Sequence, residues 1–440
     1  MLTLRYILRL IIAFLIRFRT LILIGLLLGV IVFILSNWLM PIFFGRKVEK
    51  IGIAGRFHAE SLPDYILEQM GDGLTEIDPS GAVIPNLADS WESPDKGRTW
   101  IFYLNKEKVW QDGENIESDA LSYEYTDVKV EKPNQNTIVF KLENPFSPFP
   151  SVVSRPVFKK GLIGSGDWKA NKVSISGGFL QKLEIISINK DKKLYKFYPT
   201  EERAKLALKL GEVDKLIGIF NPTPFNNWKN TKISEVIDTQ KEVVLFFNTQ
   251  DKILADKSLR QALSYSIEKD SLPGTRAISP IAPSSWAYNP QVKRYDYDVR
   301  RAKELIDELP NEISSNTDIK LVTSPILLDI ADKISKNWQD IGISSSVQVS
   351  SGVPTEYQAL LAIYEIPKDP DQYSIWHSTQ EGSNISKYKD ARIDKLLESG
   401  RTELVLEDRR TIYLDFQRFL LEDAPVVFLY HPLSYNIERK

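Results

Sequence analysis

The chain has 440 residues, 58 acidic and 56 basic side chains, a net charge of −2, 3 histidines and no cysteine. The absence of cysteine excludes disulfides and thiolate metal sites, and the bases are interspersed with acids, so no basic patch suits nucleic acid. The length allows two or three core-forming units.

The first element is a run of 26 uncharged residues from Thr20 to Gly45. A helix needs roughly 20 apolar residues to cross a bilayer core, whereas a secretory signal core is about 7–15 residues followed by a small-residue cleavage site. The run ends in Trp38, Met40, Pro41, Phe43 and Phe44 with no such site. Residues 20–45 are therefore expected to be a retained transmembrane anchor, the alternative being a cleaved signal. Arg5, Arg9, Arg17 and Arg19 precede the run without an acid, and basic flanks stay cytoplasmic. Arg46, Lys47 and Lys50, with Glu49, weaken that bias. The expectation is a cytoplasmic basic segment at 1–19 and an extracytoplasmic body from 46 to 440. The apolar stretch around Ile11 to Ile16 is bounded by Arg9 and Arg17 and is expected at the interface.

Strand patterns dominate the first half of the body. "IGIAG" at Ile51, "TWIFYLNK" at Thr99 and "TIVFKLEN" at Thr137 carry β-branched and aromatic residues, the last two in alternation with polar ones. "DPSG" at Asp78, "SPDKG" at Ser93, "QDG" at Gln111 and "KPNQN" at Lys132 mark turns. Helices enter in the second half. Asp256 caps a stripe of Leu259, Ala262, Leu263 and Ile267; Asp298 caps Val299, Ala302, Leu305, Ile306 and Leu309; a third stripe is Ile412, Phe416, Phe419 and Leu420. "EVVLFFN", ending at Asn248, and "PVVFLYH", ending at His431, read as strands buried on both faces. One arrangement that fits is a second lobe inserted into the first, with these two strands as the crossings.

Motifs for chemistry are sparse. "GLIGSG" at Gly161–Gly166 has neither dinucleotide nor P-loop spacing. His58, His377 and His431 are far apart and form no ligand motif, so neither a metal nor a cofactor is expected. "SIEK" at Ser266–Lys269 matches the S-x-x-K motif of acyl-transfer enzymes, with "SSN" at Ser314 as a second element, but no K-T-G follows. An anchored serine acyl-transfer enzyme is therefore only a minor alternative, and no catalytic residue is assigned.

One resemblance covers most of the chain. "GAVIPNLADSWESPDKGRTWIFYLNKEKVWQDGENIESDAL" resembles the signature region of family 5 extracellular solute-binding proteins, the peptide and nickel receptors of ABC importers. The matching positions are Pro85, Leu87, Ala88, Ser90, Trp91, Glu92, Trp110, Asp112 and Gly113. "GSGDW" at Gly164, "ALKLGEVD" ending at Asp214, "LFFNTQDKILADKSLRQALSYSIEKD", "YDYDVRRAKELI", "ISKNWQDIGI" and "RRTIYLDFQRFLLEDAPVVFLY" follow in the family's order, over nearly all of 51–435.

The resemblance implies an α/β, two-lobed periplasmic-binding-protein-like fold with a central ligand cleft, preceded here by one transmembrane helix. Lobe I is expected at 46–247, with 426–440 returning to it, and lobe II at 248–425. The implied function is a non-enzymatic, membrane-anchored receptor that binds oligopeptides and delivers them to ABC permease and ATPase subunits. The short tether would hold the cleft close above the membrane. Three departures bear on the solute. Only Ile116 to Pro133 fills the place of a larger subdomain. Asp167-Trp168 replaces the G-P-Y ending. In "LAIYEIPKDPDQYSIW", Ile366 stands where peptide-binding members hold an amine-binding aspartate, with Glu365 beside it. Candidate ligand contacts are Glu60, Ser61, Tyr364, Glu365, Trp376 and Tyr430, although core packing is the plainer role for the three aromatics. A receptor-like sensory or scaffolding domain without transport is the alternative.

Overall fold

The structure is a computed structural model. It describes residues 13, 15–43, 48–58, 61–310, 318–352 and 354–440. Glu60, Ser314 and most of the basic segment 1–19 therefore lie outside the described residues. Helix α1 spans Arg19–Phe43. Its side chains are described only in part, and among the described residues no helix is long and apolar enough to cross a membrane.

The body begins with β1 (Val48–Ala54) and α2 (Asp64–Met70), followed by a hairpin of β2 (Thr75–Ile77) and β3 (Val83–Pro85). β4 (Ala88–Glu92), β5 (Thr99–Leu104), β6 (Val128–Asn134) and β7 (Thr137–Leu142) form a four-stranded antiparallel sheet in the order β4-β5-β7-β6. Then come β8 (Trp168–Ser176), β9 (Phe179–Ser187), β10 (Lys192–Tyr198), α3 (Glu201–Leu210), β11 (Lys215–Ile219) and β12 (Thr231–Ile237). The second lobe contains β13 (Lys241–Phe247), α4 (Lys257–Tyr265), β14 (Thr275–Arg276), α5 (Val299–Asp307), β15 (Asp318–Thr323), α6 (Leu328–Asp340), β16 (Ser344–Val349), β17 (Ala359–Glu365), α7 (Ala391–Thr402), α8 (Leu406–Asp423) and β18 (Val426–His431). β19 (Leu433–Arg439) returns to the first.

Two large sheets result. Lobe I holds seven strands in the order β12-β19-β11-β1-β10-β9-β8, and lobe II holds six in the order β14-β18-β13-β17-β15-β16. The insertion read from the sequence is present, but its boundaries differ. β13 and β18 pair with each other in the middle of the lobe II sheet, so neither strand is a crossing. The chain passes between sheets at Asp238–Gln240 and at Pro432, not at Asn248 and Pro425. The cause is burial on both faces: Val243, Leu245 and Phe247 enter one core, and Val244 and Phe246 the other.

Local chemistry explains the helices around that sheet. The Asp256 carboxylate accepts from the Leu259 N–H at 3.0 Å, and that of Asp298 from the Arg301 N–H at 2.9 Å. Each satisfies an amide that the first helical turn leaves unpaired. α4 and α6 cover one face through Leu259, Leu263, Ile334 and Trp338. α7 and α8 cover the other through Ile393, Leu397, Phe416 and Leu420. The α8 stripe is rotated from the expected one: Tyr413 and Gln417 are buried, while Ile412 and Phe419 are half-buried. Gln417 is held inside by the carbonyls of Ala287 and Tyr413 and by the Ser279 hydroxyl.

Lobe I is thinner. α2 packs through Ile66, Leu67 and Met70 on one face of its sheet, and α3 through Ala204, Ala207 and Leu208 on the other. The four-stranded sheet has its own core around Trp100, Phe102, Phe140 and Phe149. The "GLIGSG" glycines attach this layer to α2: a Cβ on Gly164 would lie 1.9 Å from the Met70 carbonyl oxygen. That close approach, and no phosphate site, accounts for glycine at Gly164.

Candidate ligand cleft

The two lobes meet where α2, the loop after it and the hairpin β2–β3 face the loops of lobe II. A cavity of about 360 Å3 lies there. Glu68, Asp72, Thr75, Glu76, Asp78 and Asn86 wall it from lobe I, and Gln240, Ser284, Ser285 and Lys368 from lobe II. A second cavity of about 410 Å3 shares Ser154, Pro156 and Lys368 with the first and adds Ser61, Asp64 and Arg155. Ligand sites in α/β proteins favour the carboxyl ends of strands, and the segment after β1 supplies Ser61 and Asp64 to the second cavity.

Among the described residues, three sets of contacts cross between the lobes. The Lys368 ammonium lies 2.9 Å from Asp64 and 3.0 Å from Glu68, both on α2. Desolvation alone would lower its pKa, but the hydrogen bonds to the two carboxylates outweigh that and raise it. The Trp286 amide and ring N–H donate to the carbonyls of Ser80 and Gly81 at 2.9 and 3.2 Å. Gly81 has φ +78°, a left-handed turn that glycine adopts without strain. The Ser147 amide donates to the Arg401 carbonyl at 2.7 Å, and its hydroxyl to that of Gly400 at 3.1 Å.

Two ion pairs, one buried and one half-buried, brace the lobe II side of these contacts. The Arg409 guanidinium holds the Asp369 carboxylate with both terminal nitrogens and lies 5.5 Å from the Trp286 ring. Arg401 holds Asp371 at 3.0 Å and stacks over Tyr373 at 4.2 Å and Phe146 at 4.9 Å. The acids of "KDPDQ" thus fix the rim of the cleft.

Carboxylates outnumber cations in the cavity wall, and their states differ. Asp72 accepts from Ser165 and Asn86. Hydrogen bonds from the Ser80 side chain and the Ala82 amide hold Asp78 below the usual carboxylate range. Glu68 is paired with Lys368. The Glu76 carboxylate is exposed and has no hydrogen bond or ion pair among the described residues.

The expected contacts distribute unevenly. Ser61 lines the second cavity. Glu365 is exposed at the end of β17, opposite Lys241 in register, and lines neither cavity. Ile366 is buried and donates its amide to Gln240, a cavity residue. Trp376 and Tyr430 are buried in the two cores of lobe II, and Tyr364 packs against the first of them, with its hydroxyl on Gln372 at 3.1 Å. None of the three aromatics lines the cleft cavities, because strand alternation and the closing helices direct them inward. Asp167-Trp168 starts β8, at the end of the sheet away from the cleft.

Sequence reasoning missed Lys368, Trp286 and Glu76. A tryptophan in the Pro/Ser-rich loop "SPIAPSSWAYNP" was a signal for Trp286; the pairing of Lys368 with α2 had none. Glu242 was also missed. It is buried, and neither carboxylate oxygen has a partner. Desolvation raises its pKa well above the usual value, with Arg276 pulling the other way. The "SIEK" elements are structural: the Ser266 hydroxyl donates to the Leu263 carbonyl, and the Lys269 ammonium is held by the carbonyls of Ser264, Ile267 and Tyr295.

Two sheets joined by two short crossings, with a cavity between them, define the two-lobed solute-binding class. Residues 82–180 and 189–383 match the family described as bacterial extracellular solute-binding proteins, family 5 middle. The chain belongs to this family. It is 23% identical to the dipeptide-binding protein of Escherichia coli K12, over 87% of this chain and 86% of the relative. It shares its fold with NikZ from Campylobacter jejuni in complex with Ni(L-His), with TM-score 0.72, 22% identity and coverage of 89% and 94%. The oligopeptide-binding protein AppA from Bacillus subtilis, solved with a nonapeptide, superposes with TM-score 0.67 and 21% identity over 90% and 95%.

Proposed function

We propose that the chain is the solute receptor of an ABC importer, held at the cell membrane by residues 20–45 with its body outside. In this reading it captures oligopeptides between its lobes and delivers them to permease and ATPase subunits. The observation that carries the reading is the inter-lobe cavity of a family 5 chain with an unpaired carboxylate, Glu76, in its wall. An ammonium entering a closing cleft needs a charge-assisted partner, since an unpaired buried charge is strongly unfavourable. An extended peptide would bind by strand-like hydrogen bonding, with side chains in pockets. Closure would bend the chain at 238–240 and 432, the hinge expected for such receptors. The peptide class is supported by the dipeptide-binding relative and by the nonapeptide seen with AppA.

The test is thermal denaturation with short peptides. At about 100-fold excess over Kd, linkage adds roughly 2.7 kcal/mol, a clear midpoint shift. Acetylating the peptide amine should abolish most of it. Glu76→Gln and Glu365→Gln, compared side by side, identify which carboxylate takes the amine. If neither variant weakens binding, the amine lies elsewhere. If no peptide in a diverse pool shifts the midpoint, the peptide assignment fails. A sensory or scaffolding role is the second reading. It draws on one observation: the alignment to the dipeptide-binding relative runs to 474 positions, more than this chain's 440, so the relative carries segments lacking here. Loss of peptide uptake on deleting the gene would exclude it.

A further inference from the structure

The end of the lobe I sheet opposite the cleft has a character of its own. β1 starts there at Val48, whose register partner is Lys192. Lys192 faces Ile186, and Ile186 faces Lys169. On the other side Ile51 is level with Lys215, and β19 ends beside the start of β12. The β9–β10 turn and the last residues of α3 reach the same end, since α3 connects the far end of β10 back to the start of β11. The turn presents Ile188, 79% exposed, and α3 presents Leu210, 67% exposed. Ile188, Ile186 and Val109 also border an apolar hollow of about 490 Å3. Around them Lys169, Lys190, Lys209, Lys229, Lys232 and Lys440 are exposed and Lys50, Lys192 and Lys215 half-buried, against exposed Asp167, Asp191, Glu212 and Glu438 and half-buried Glu49 and Asp214.

Only four residues separate Phe43, the end of α1, from Val48. Fully extended, that connection spans at most about 18 Å. We propose that this end of lobe I rests on an anionic phospholipid surface, with Ile188 and Leu210 dipping into the interface and the lysines meeting the headgroups. Apolar tips ringed by lysine are the usual elements of interfacial binding, and each lysine adds attraction to anionic lipid. The proposal rests on the membrane tether of the proposed function. It also reverses the expected orientation. β1 is seven residues long, and at about 3.3 Å per residue it places the cleft roughly 20 Å farther out, on the distal side of lobe I.

The test uses the full chain reconstituted in phosphatidylglycerol vesicles. The sequence has no cysteine, so Ile188→Cys, Leu210→Cys and Ile175→Cys each carry one fluorophore. Ile175 lies at the opposite end of the sheet and is 53% exposed. Headgroup quenchers should quench labels at 188 and 210 at least about threefold more than the label at 175. Phosphatidylcholine vesicles, or the pair Lys190→Glu and Lys209→Glu, should reduce that difference. Equal quenching at all three positions overturns the docking while leaving the anchor intact. Release of the chain by alkaline carbonate overturns the anchor and the docking together. Protection of position 188 only in native membranes, not in lipid vesicles, reassigns the surface to a membrane-protein partner.

Discussion

The two large sheets are built on different principles. The lobe II sheet is sandwiched: every residue of β18 is buried, and helices seal both faces. The lobe I sheet ends in β8, most of whose residues are exposed. It divides its apolar contacts between two smaller cores and leaves a third to the four-stranded sheet. The rigid lobe supplies the rim of the cleft through buried Arg409–Asp369 and half-buried Arg401–Asp371. The thinner lobe supplies most of the polar groups that line the cavity. Positional precision comes from the sealed lobe, and exposed surface for contact comes from the open one.

This contrast can be broken experimentally. The largest effect is expected at Trp338, fully buried in lobe II, its ring N–H on the Leu263 carbonyl at 3.2 Å. Trp338→Ala should cost about 3–5 kcal/mol in urea unfolding. A loss below about 1 kcal/mol would show the lobe II core to be less tightly packed than described.

Glu242 gives the next effect, and its sign follows from linkage. Its folded pKa lies above the unfolded one, because burial disfavours the charged form. Folding therefore takes up a proton, so stability is complete below the ordinary carboxylate range and falls as pH rises through the folded pKa. Glu242→Gln should raise stability by roughly 1–3 kcal/mol at pH 8 and leave it unchanged near pH 4. An equal change at both pH values would separate the effect from titration.

Smaller still is the lock across the cleft. Lys368 is partly exposed, and such pairs contribute about 0–1 kcal/mol, so Lys368→Ala should barely alter unfolding. It should instead enlarge the ligand-free molecule in X-ray scattering by favouring the open form, and unchanged scattering would assign closure to Trp286 and Ser147. At the edge of lobe I, Ile175→Ala should stay within about 0.5 kcal/mol. A larger loss there would mean that the open sheet depends on its edge as lobe II depends on its core.

Much of this was legible in the sequence because local chemistry carries it. Strand alternation placed β5 and β7, and aspartate caps placed the starts of α4 and α5. The ordered motifs identified the family, yet most of those residues are structural. Trp110 is buried, and Asp112 pairs with Lys159 at 3.0 Å, in the four-stranded layer rather than the cleft. Within the signature stretch Gly81 and Asn86 line the inter-lobe cavity, while Trp110 and Asp112 build the four-stranded layer.

Tertiary structure decided the rest. Apolar runs showed that β13 and β18 are buried, but not that they pair with each other, so the crossings moved to 238–240 and 432. Tyr364, Trp376 and Tyr430 could have faced solute or core; the helices closing lobe II turned them inward. Lys368 meets Asp64 and Glu68 across some three hundred positions of sequence, a pairing that no local pattern encodes. Side-chain periodicity is a property of one segment and can be read from it. Which side chains share a cleft depends on how separate segments dock, and the closed chain sets that through packing.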